Sequence, residues 1–246
     1  WGLPAERADA LHRSERAALA AVREVVVTSP TTAKLVAADY GVPAERITVA
    51  RPGCDPAPRS SGSRSDVPHL LSVGAVVPRK GFEVLIAALA RLAELPWRLT
   101  IAGDLTRDPG EAARLQASLS QHGVTSRVAV LGAVSSERLA ALYDDADLFV
   151  LASRFEGYGM AYAEALSHGL PVIGTTAGAI PDTVPPDAGL LVAAGDVDAL
   201  AAALRRVIAD ADLRRRLSDA AAAAAHMLPT WRQSGAIFAT ALEKLA

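Results

Sequence analysis

Short apolar runs alternate with stretches of helical periodicity along most of the chain, and this alternation is what most restricts its fold. The runs are apolar on both faces and are followed by Gly, Asp or Ser. This pattern is typical of buried parallel strands. The predicted strands are Val25–Thr28, Ile47–Ala50, His69–Val73, Arg98–Ala102, Val128–Leu131, Leu148–Leu151, Pro171–Gly174 and Gly189–Val192. The helices predicted between and after them are Phe82–Ala93, Glu111–Gln121, Ser136–Tyr143, Tyr158–Ser167, Val197–Ala209 and Asp212–Ala225. This order predicts an α/β fold with a Rossmann-like, doubly wound parallel sheet.

One segment interrupts the pattern. Residues 51–67 are rich in Pro, Ser, Gly and Arg and lack apolar periodicity, which predicts a linker. Residues 1–50 carry two strands, too few to cover both faces of a sheet, and so resemble the tail of an incomplete Rossmann-like domain. Residues 68–228 suffice for a complete one. Residues 229–246 follow a Leu-Pro break and predict a helix that packs back toward the N-terminal part.

Composition excludes several classes of protein. There are 25 Lys and Arg against 27 Asp and Glu, and aromatic residues make up 4%, so nucleic-acid binding is not expected. No apolar run is long enough to span a membrane, and the first residues show no signal peptide. Cys54 is the single cysteine, which excludes an internal disulfide or a cysteine-based metal cluster. A cytoplasmic location is predicted.

The first motif is SVGAVVPRKG, from Ser72 to Gly81, which joins a predicted strand to a helix. Phosphates bind where strand ends lead into helix N-termini, because unpaired N–H groups and the helix dipole favour anions. Arg79 and Lys80 add two cations there, and Lys80 is one of only three lysines. The motif is neither a Walker loop nor G-x-G-x-x-G. It fits a phosphate site and also an ordinary solvated helix start. The helix dipole weakens the second interpretation, because it disfavours basic residues at a helix N-terminus.

The second motif is SRFEGYGMAYAEALSHGLPVIGT, from Ser153 to Thr175. Its glycines permit close backbone approach, and the amides of Tyr158 to Met160 begin a helix. Glu156 and Glu164 stand eight residues apart among apolar neighbours, where a buried carboxylate needs a partner. Sugar and ribose hydroxyls are suitable partners. A phosphate site beside two such carboxylates predicts a nucleotide-sugar pocket.

Together, E-x-x-G with a second Glu eight positions on and a preceding G-x-x-x-x-R-K-G resemble the donor-binding domain of the retaining glycosyltransferases of family 4. That family has the GT-B fold, in which two Rossmann-like domains face each other across a cleft. The resemblance extends over nearly the whole chain from Val25. It implies transfer of a hexose from a UDP- or GDP-type nucleotide sugar to an acceptor, with retention at the anomeric carbon and no metal or other cofactor.

The resemblance also implies roles for single residues. Lys80 and Arg79 would contact the donor diphosphate, and Glu156 the hydroxyls of the transferred sugar; these three are the catalytic candidates. Glu164 would bind the ribose, and the backbone near Val134 the base. The other donor-binding candidates are Gly74, Gly157, Tyr158, Gly159 and Met160.

Two departures from the family pattern stand out. Many members have an arginine where this chain has Ala75, and Arg79 would substitute for it. The acceptor site belongs to the family's N-terminal domain, of which residues 1–50 would be a remnant. The expected partners are therefore a missing N-terminal domain or a second copy of the chain.

Several other residues have simpler interpretations. Asp145 and Asp147 have the spacing of a metal-binding pair but predict a helix-to-strand turn, and His168 a helix cap. Cys54 is not expected to be a nucleophile, and Tyr162 is expected to pack in the core. Two further functions stay open: a non-catalytic nucleotide-sugar binding module, and a phosphosugar epimerase of similar architecture.

Overall fold

The computed structural model describes residues 3–245, which form two compact units. The larger unit is Cys54–Leu228, and the smaller combines the residues up to Gly53 with those from Pro229 onward. Each unit is described separately below. None of the described helices has both the length and the apolar character needed to cross a bilayer.

A six-stranded, fully parallel sheet forms the centre of the larger unit. The strands are β3 (His69–Val73), β4 (Arg98–Ala102), β5 (Val128–Val130), β6 (Leu148–Val150), β7 (Val172–Thr175) and β8 (Gly189–Val192). The helices are α3 (Phe82–Ala90), α4 (Pro109–Gln121), α5 (Ser136–Asp144), α6 (Met160–Ser167), α7 (Ile180–Thr183), α8 (Val197–Ala209) and α9 (Ala211–Ala225). The strand order β5-β4-β3-β6-β7-β8 is that of a doubly wound Rossmann sheet. The predicted fold class is confirmed.

The strands lie within one residue of their predicted bounds, whereas helix ends differ by up to three residues. The largest difference is at the end of α3, which stops at Ala90. There the chain turns, and the Arg127 guanidinium donates to the carbonyls of Ala93 and Trp97 beyond the helix. The central strand β6 is completely buried, which explains its purely apolar sequence.

The Pro- and Ser-rich segment is irregular, but from Cys54 onward it belongs to the larger unit. The Ser60 hydroxyl contacts the carbonyls of Asp144 and Ala146. The Asp147 carboxylate accepts the backbone N–H of Ser63 and of His69, where β3 begins. These bonds attach the segment to the edge of the sheet at which the strands start.

The smaller unit contains α1 (Ala5–Ala21), β1 (Val25–Val27), α2 (Pro30–Tyr40), β2 (Ile47–Val49) and α10 (Trp231–Glu243). Strands β1 and β2 pair in parallel, and Val27, Val36 and Val42 form a small core. Helix α10 packs on β2, and the Ser234 hydroxyl donates to the carbonyl of Arg51.

Candidate functional site

The candidate site lies where the winding of the sheet reverses. Strands β3 and β6 are neighbours, with Leu70 opposite Leu148, and the chain leaves them toward opposite sides of the strand order. Doubly wound sheets bind ligands at the carboxyl ends of the strands at such a switch point. The first motif follows β3 and the second follows β6, so the sheet brings the two motifs to the same edge.

The centre of the site is one carboxylate, Glu156, held by two cations. Lys80 Nζ is 2.7 Å from Glu156 Oε1, and Arg79 Nη1 is 2.9 Å from Oε2. Arg79 Nη1 also donates to the carbonyl of Phe155 at 2.8 Å. Gly74 leaves room for the Lys80 side chain, because a Cβ at Gly74 would lie 3.0 Å from Lys80 Cε. The structure therefore brings together Arg79, Lys80 and Glu156 from separate segments.

Electrostatics keeps this carboxylate charged despite its burial. Only 6% of Glu156 is exposed. Burial by itself raises its pKa, but Lys80, a hydrogen bond from Ser153 and the charge of Arg79 outweigh burial, and the pKa lies below its ordinary value. Glu156 is an anion at neutral pH.

Sequence reasoning missed a group of small residues that fixes Glu156. The buried Ser153 hydroxyl donates to Glu156 Oε1 at 2.7 Å, and Thr175 Oγ1 donates to the Ser153 carbonyl. The Glu156 carbonyl accepts the N–H of Ala179 at 2.8 Å. Gly178 permits this approach, because a Cβ there would lie 2.3 Å from the Glu156 oxygen. The signal in the sequence was a serine a few residues after a predicted strand.

Glu164 lies on α6 in a different environment. Its Oε2 accepts a 2.9 Å hydrogen bond from the hydroxyl of Tyr143, a buried residue of α5. Burial raises the pKa of Glu164, and the Tyr143 bond offsets this only in part. The Tyr143 ring stacks on His168, with centroids 4.8 Å apart. Tyr143 is a second contact that the sequence did not reveal.

Between the two carboxylates the chain enters α6. Gly159, with φ of 93°, is the N-cap and provides no side-chain hydrogen bond to the first turn, which begins at Met160. Gly157 and Tyr158 lie just before Gly159. The Tyr158 side chain is buried beside Cys54, and the Tyr158 carbonyl accepts a hydrogen bond from the Thr183 hydroxyl. An N-terminus without a side-chain cap has N–H groups that can bind an anion.

Not every predicted residue lies in this cluster. Val134 follows β5 at the same edge of the sheet, but β4 separates β5 from β3. Asp145 and Asp147 lie at the opposite edge, where they bind His69 and the start of β3. His168 is the C-cap of α6, as its sequence position predicts. Within residues 3–245, no three His, Cys, Asp or Glu side chains come together so as to hold a metal ion.

Fold and site define a class: a doubly wound α/β unit with a charged cluster at the switch point, as in nucleotide-binding domains. The sequence matches the family described as glycosyl transferases group 1 over residues 55–224, and the chain belongs to that family. It is 31% identical over 235 residues to an MMP alpha-(1->4)-mannosyltransferase of Mycolicibacterium hassiacum, covering 92% of this chain and 56% of that protein. It is 33% identical over 227 residues to a D-inositol 3-phosphate glycosyltransferase of Xylanimonas cellulosilytica, covering 85% and 54%.

Solved structures show the same fold. Sucrose-phosphate synthase of Thermosynechococcus elongatus superposes with a TM-score of 0.86 at 28% identity, covering 99% of this chain and 64% of that one. Anabaena HepE, solved with UDP and glucose, gives 0.80 at 23% identity, covering 90% and 63%. The larger unit is the Rossmann-like C-terminal domain of a GT-B protein. The chain spans about half the length of the curated relatives it matches.

Proposed function

We propose that the chain is the donor-binding portion of a retaining family 4 glycosyltransferase, which transfers a hexose from a UDP- or GDP-type nucleotide sugar to an acceptor. The observation that carries the proposal is the contact of Glu156 with both Lys80 and Arg79 at the switch point. Cations suit a diphosphate, and an ionised carboxylate suits sugar hydroxyls. The name of the mannosyltransferase relative and the UDP in the Anabaena structure also support it.

In this proposal the donor lies along the edge of the sheet. Lys80, Arg79 and the N-terminus of α6 hold the diphosphate, and Glu156 accepts hydrogen bonds from the hexose. Glu164 accepts from the ribose through the oxygen that Tyr143 does not bind, and the backbone near Val134 contacts the base. Gly74 and the Gly157–Tyr158 turn let the backbone approach the ligand.

The proposed chemistry is the departure of the nucleoside diphosphate. Negative charge develops on the leaving phosphate as its bond to the anomeric carbon breaks, and the two cations and helix dipole stabilise it. One well-placed donor of this kind typically contributes ~3–4 kcal/mol. The acceptor hydroxyl attacks from the face that the diphosphate leaves and gives its proton to the departing phosphate, so the configuration at the anomeric carbon is retained. No protein nucleophile and no metal take part, so EDTA should leave the rate of transfer unchanged.

The experiment that tests the proposal compares UDP, GDP, ADP and TDP by thermal stabilisation of the chain. We expect one of them to stabilise it and its sugar-linked form to stabilise it as well. A chain that neither UDP nor GDP stabilises would contradict the proposal. A cytoplasmic location stays a prediction, which cell fractionation tests.

The competing function is a binding module without catalysis. The module would bind the same nucleotide sugar but would release no nucleoside diphosphate from it over time. Following release by a coupled assay, with a panel of sugar acceptors, distinguishes the two. Release without any acceptor, together with an altered sugar, would favour an epimerase.

A further inference from the structure

The two cations proposed for the diphosphate are already bonded to an anion of the protein. Lys80 contacts one oxygen of Glu156 and Arg79 the other. A diphosphate that binds these cations therefore meets a like charge close by. Even where a lysine or arginine holds both anions at once, the carboxylate and the phosphate repel each other.

This repulsion is not weakened by solvent as it would be on the surface. Glu156 is 6% exposed, and its oxygens face Lys80, Arg79 and the hydroxyl of Ser153. Charges in such a partly dry site interact several times more strongly than in water. The Ser153 hydroxyl binds one carboxylate oxygen, and the Ala179 N–H binds the backbone carbonyl of Glu156, so both the side chain and its backbone are anchored beside the cations.

Donor and product differ in what they offer this carboxylate. The hexose of a nucleotide sugar carries hydroxyls that can donate to Glu156 and replace the hydrogen bonds it shares with the cations. A nucleoside diphosphate has no such hydroxyls on its terminal phosphate and also carries more negative charge. The cost of placing a phosphate next to Glu156 is therefore offset for the donor and not for the product.

We infer that Glu156 competes with the nucleoside diphosphate product for Lys80 and Arg79, and thereby promotes product release after transfer. The inference rests on the proposed function, and it adds a second role to the sugar-binding role of Glu156. It makes this residue a determinant of preference for the sugar-bearing donor over the product at the same cations.

The test measures binding of UDP and GDP to the full chain by calorimetry, with dissociation rates by stopped flow. Glu156→Gln keeps the shape and an oxygen for Lys80 but removes the charge. We expect it to bind the preferred nucleoside diphosphate about tenfold more tightly, a ratio equal to ~1.4 kcal/mol. Most of the change should be slower dissociation. Binding of the corresponding nucleotide sugar should gain less or weaken.

Two control variants separate this role from a general loss of charge. Glu83→Gln removes a carboxylate of α3 that pairs with Arg154, not with Arg79 or Lys80, and should change the affinity less than about twofold. Glu156→Asp keeps the charge and should bind the nucleoside diphosphate no more tightly than the wild type. Thermal unfolding checks that each variant is folded.

The outcomes are distinct. If the wild type binds neither UDP nor GDP, the proposed function fails, and this inference with it. If the wild type binds one of them but Glu156→Gln binds it equally or more weakly, only the inference is overturned. Equal tightening by Glu156→Asp or Glu83→Gln would also overturn it.

Discussion

Individual residues of the site differ in how far water reaches them. The Lys80 side chain is 12% exposed and that of Arg79 is 36% exposed, although both contact the same carboxylate. A hydrogen bond made by a side chain that water hardly reaches is harder for water to replace. Lys80 should therefore contribute more than Arg79 to holding a phosphate.

We predict that Lys80→Ala weakens binding of the preferred nucleoside diphosphate by about 1.5–3 kcal/mol, the usual contribution of a hydrogen bond to a charged group. Arg79→Ala should have a smaller effect. Calorimetry with the diphosphate and with the bare nucleoside measures both, and the nucleoside should bind almost as before. Equal loss of both ligands would mean that Lys80 supports the fold instead.

Glu164 should lower the stability of the fold at neutral pH. Burial raises its pKa above the ordinary value of 4.5, so the unfolded chain ionises it more readily. Its contribution to stability is intact below that value and is lost as the pH rises through the folded pKa. Glu164→Gln should therefore raise the melting temperature at pH 7 and leave it nearly unchanged at pH 4. It should also weaken nucleoside binding; a lower melting temperature at pH 7 would contradict the argument.

Tyr143→Phe alters the other partner of the same hydrogen bond and should have the opposite effect on stability at pH 7. It removes the hydrogen bond that partly offsets the burial of Glu164. The pKa of Glu164 should rise further, and the variant should lose more stability at pH 7 than at pH 4. Tyr40→Phe is a matched control, because Tyr40 of the smaller unit donates to the carboxylate of Glu15 in an exposed contact, and its loss should change stability about equally at the two pH values. Thermal unfolding at both pH values measures the effect.

At the scale of secondary-structure elements, the turn from β3 into α3 depends on a single close approach. Gly81 is the C-cap of a short 3-10 helix that contains Arg79 and Lys80, and it is also the N-cap of α3. Its φ is 64°, in the left-handed region. A Cβ at this position would lie 2.2 Å from the carbonyl oxygen of Ala152, two residues after the end of β6. The turn that holds the cations is thus fitted against the second motif.

Gly81→Ala should therefore disturb the site as well as the turn. The positive φ alone costs roughly 1–2 kcal/mol for a residue with a Cβ. The clash with Ala152 should move Lys80 away from Glu156 and lower diphosphate affinity. Gly123→Ala is the control, since Gly123 has a similar φ of 67° but nothing within 4 Å of its Cβ. Equal effects of the two changes on stability and affinity would refute the role of the close approach.

At the scale of the whole molecule, the candidate site belongs entirely to one unit. The residues from Gly74 to Glu164 that form it lie within Cys54–Leu228, which has its own sheet and core. Nucleotide binding should therefore not require the smaller unit.

We predict that residues 54–228, produced alone, fold and bind the preferred nucleoside diphosphate with an affinity within about threefold of the full chain, a difference below ~0.7 kcal/mol. Circular dichroism establishes that the segment is folded, and calorimetry compares the affinities. A folded segment that does not bind would show that residues outside this unit complete the site.

Local sequence was sufficient to predict the positions of the secondary-structure elements and of the two charged motifs. Buried strands need apolar residues on both faces, and the turns after them need Gly, Asp or Ser, so eight strands could be located from neighbouring residues alone. The charges of Arg79 and Lys80 and the spacing of Glu156 and Glu164 are likewise local. Their roles toward a nucleotide sugar stay predictions.

The sequence by itself determined an α/β sheet, the order of its elements and the two segments that carry charge. Tertiary structure alone decided that β3 and β6 are neighbours, which brings Lys80 to Glu156 across 76 residues of chain. It also decided that Ser153 and Tyr143 hold the two carboxylates. The physical reason is that strand and helix formation depend on nearby residues, whereas the pairing of charges depends on which strands adjoin.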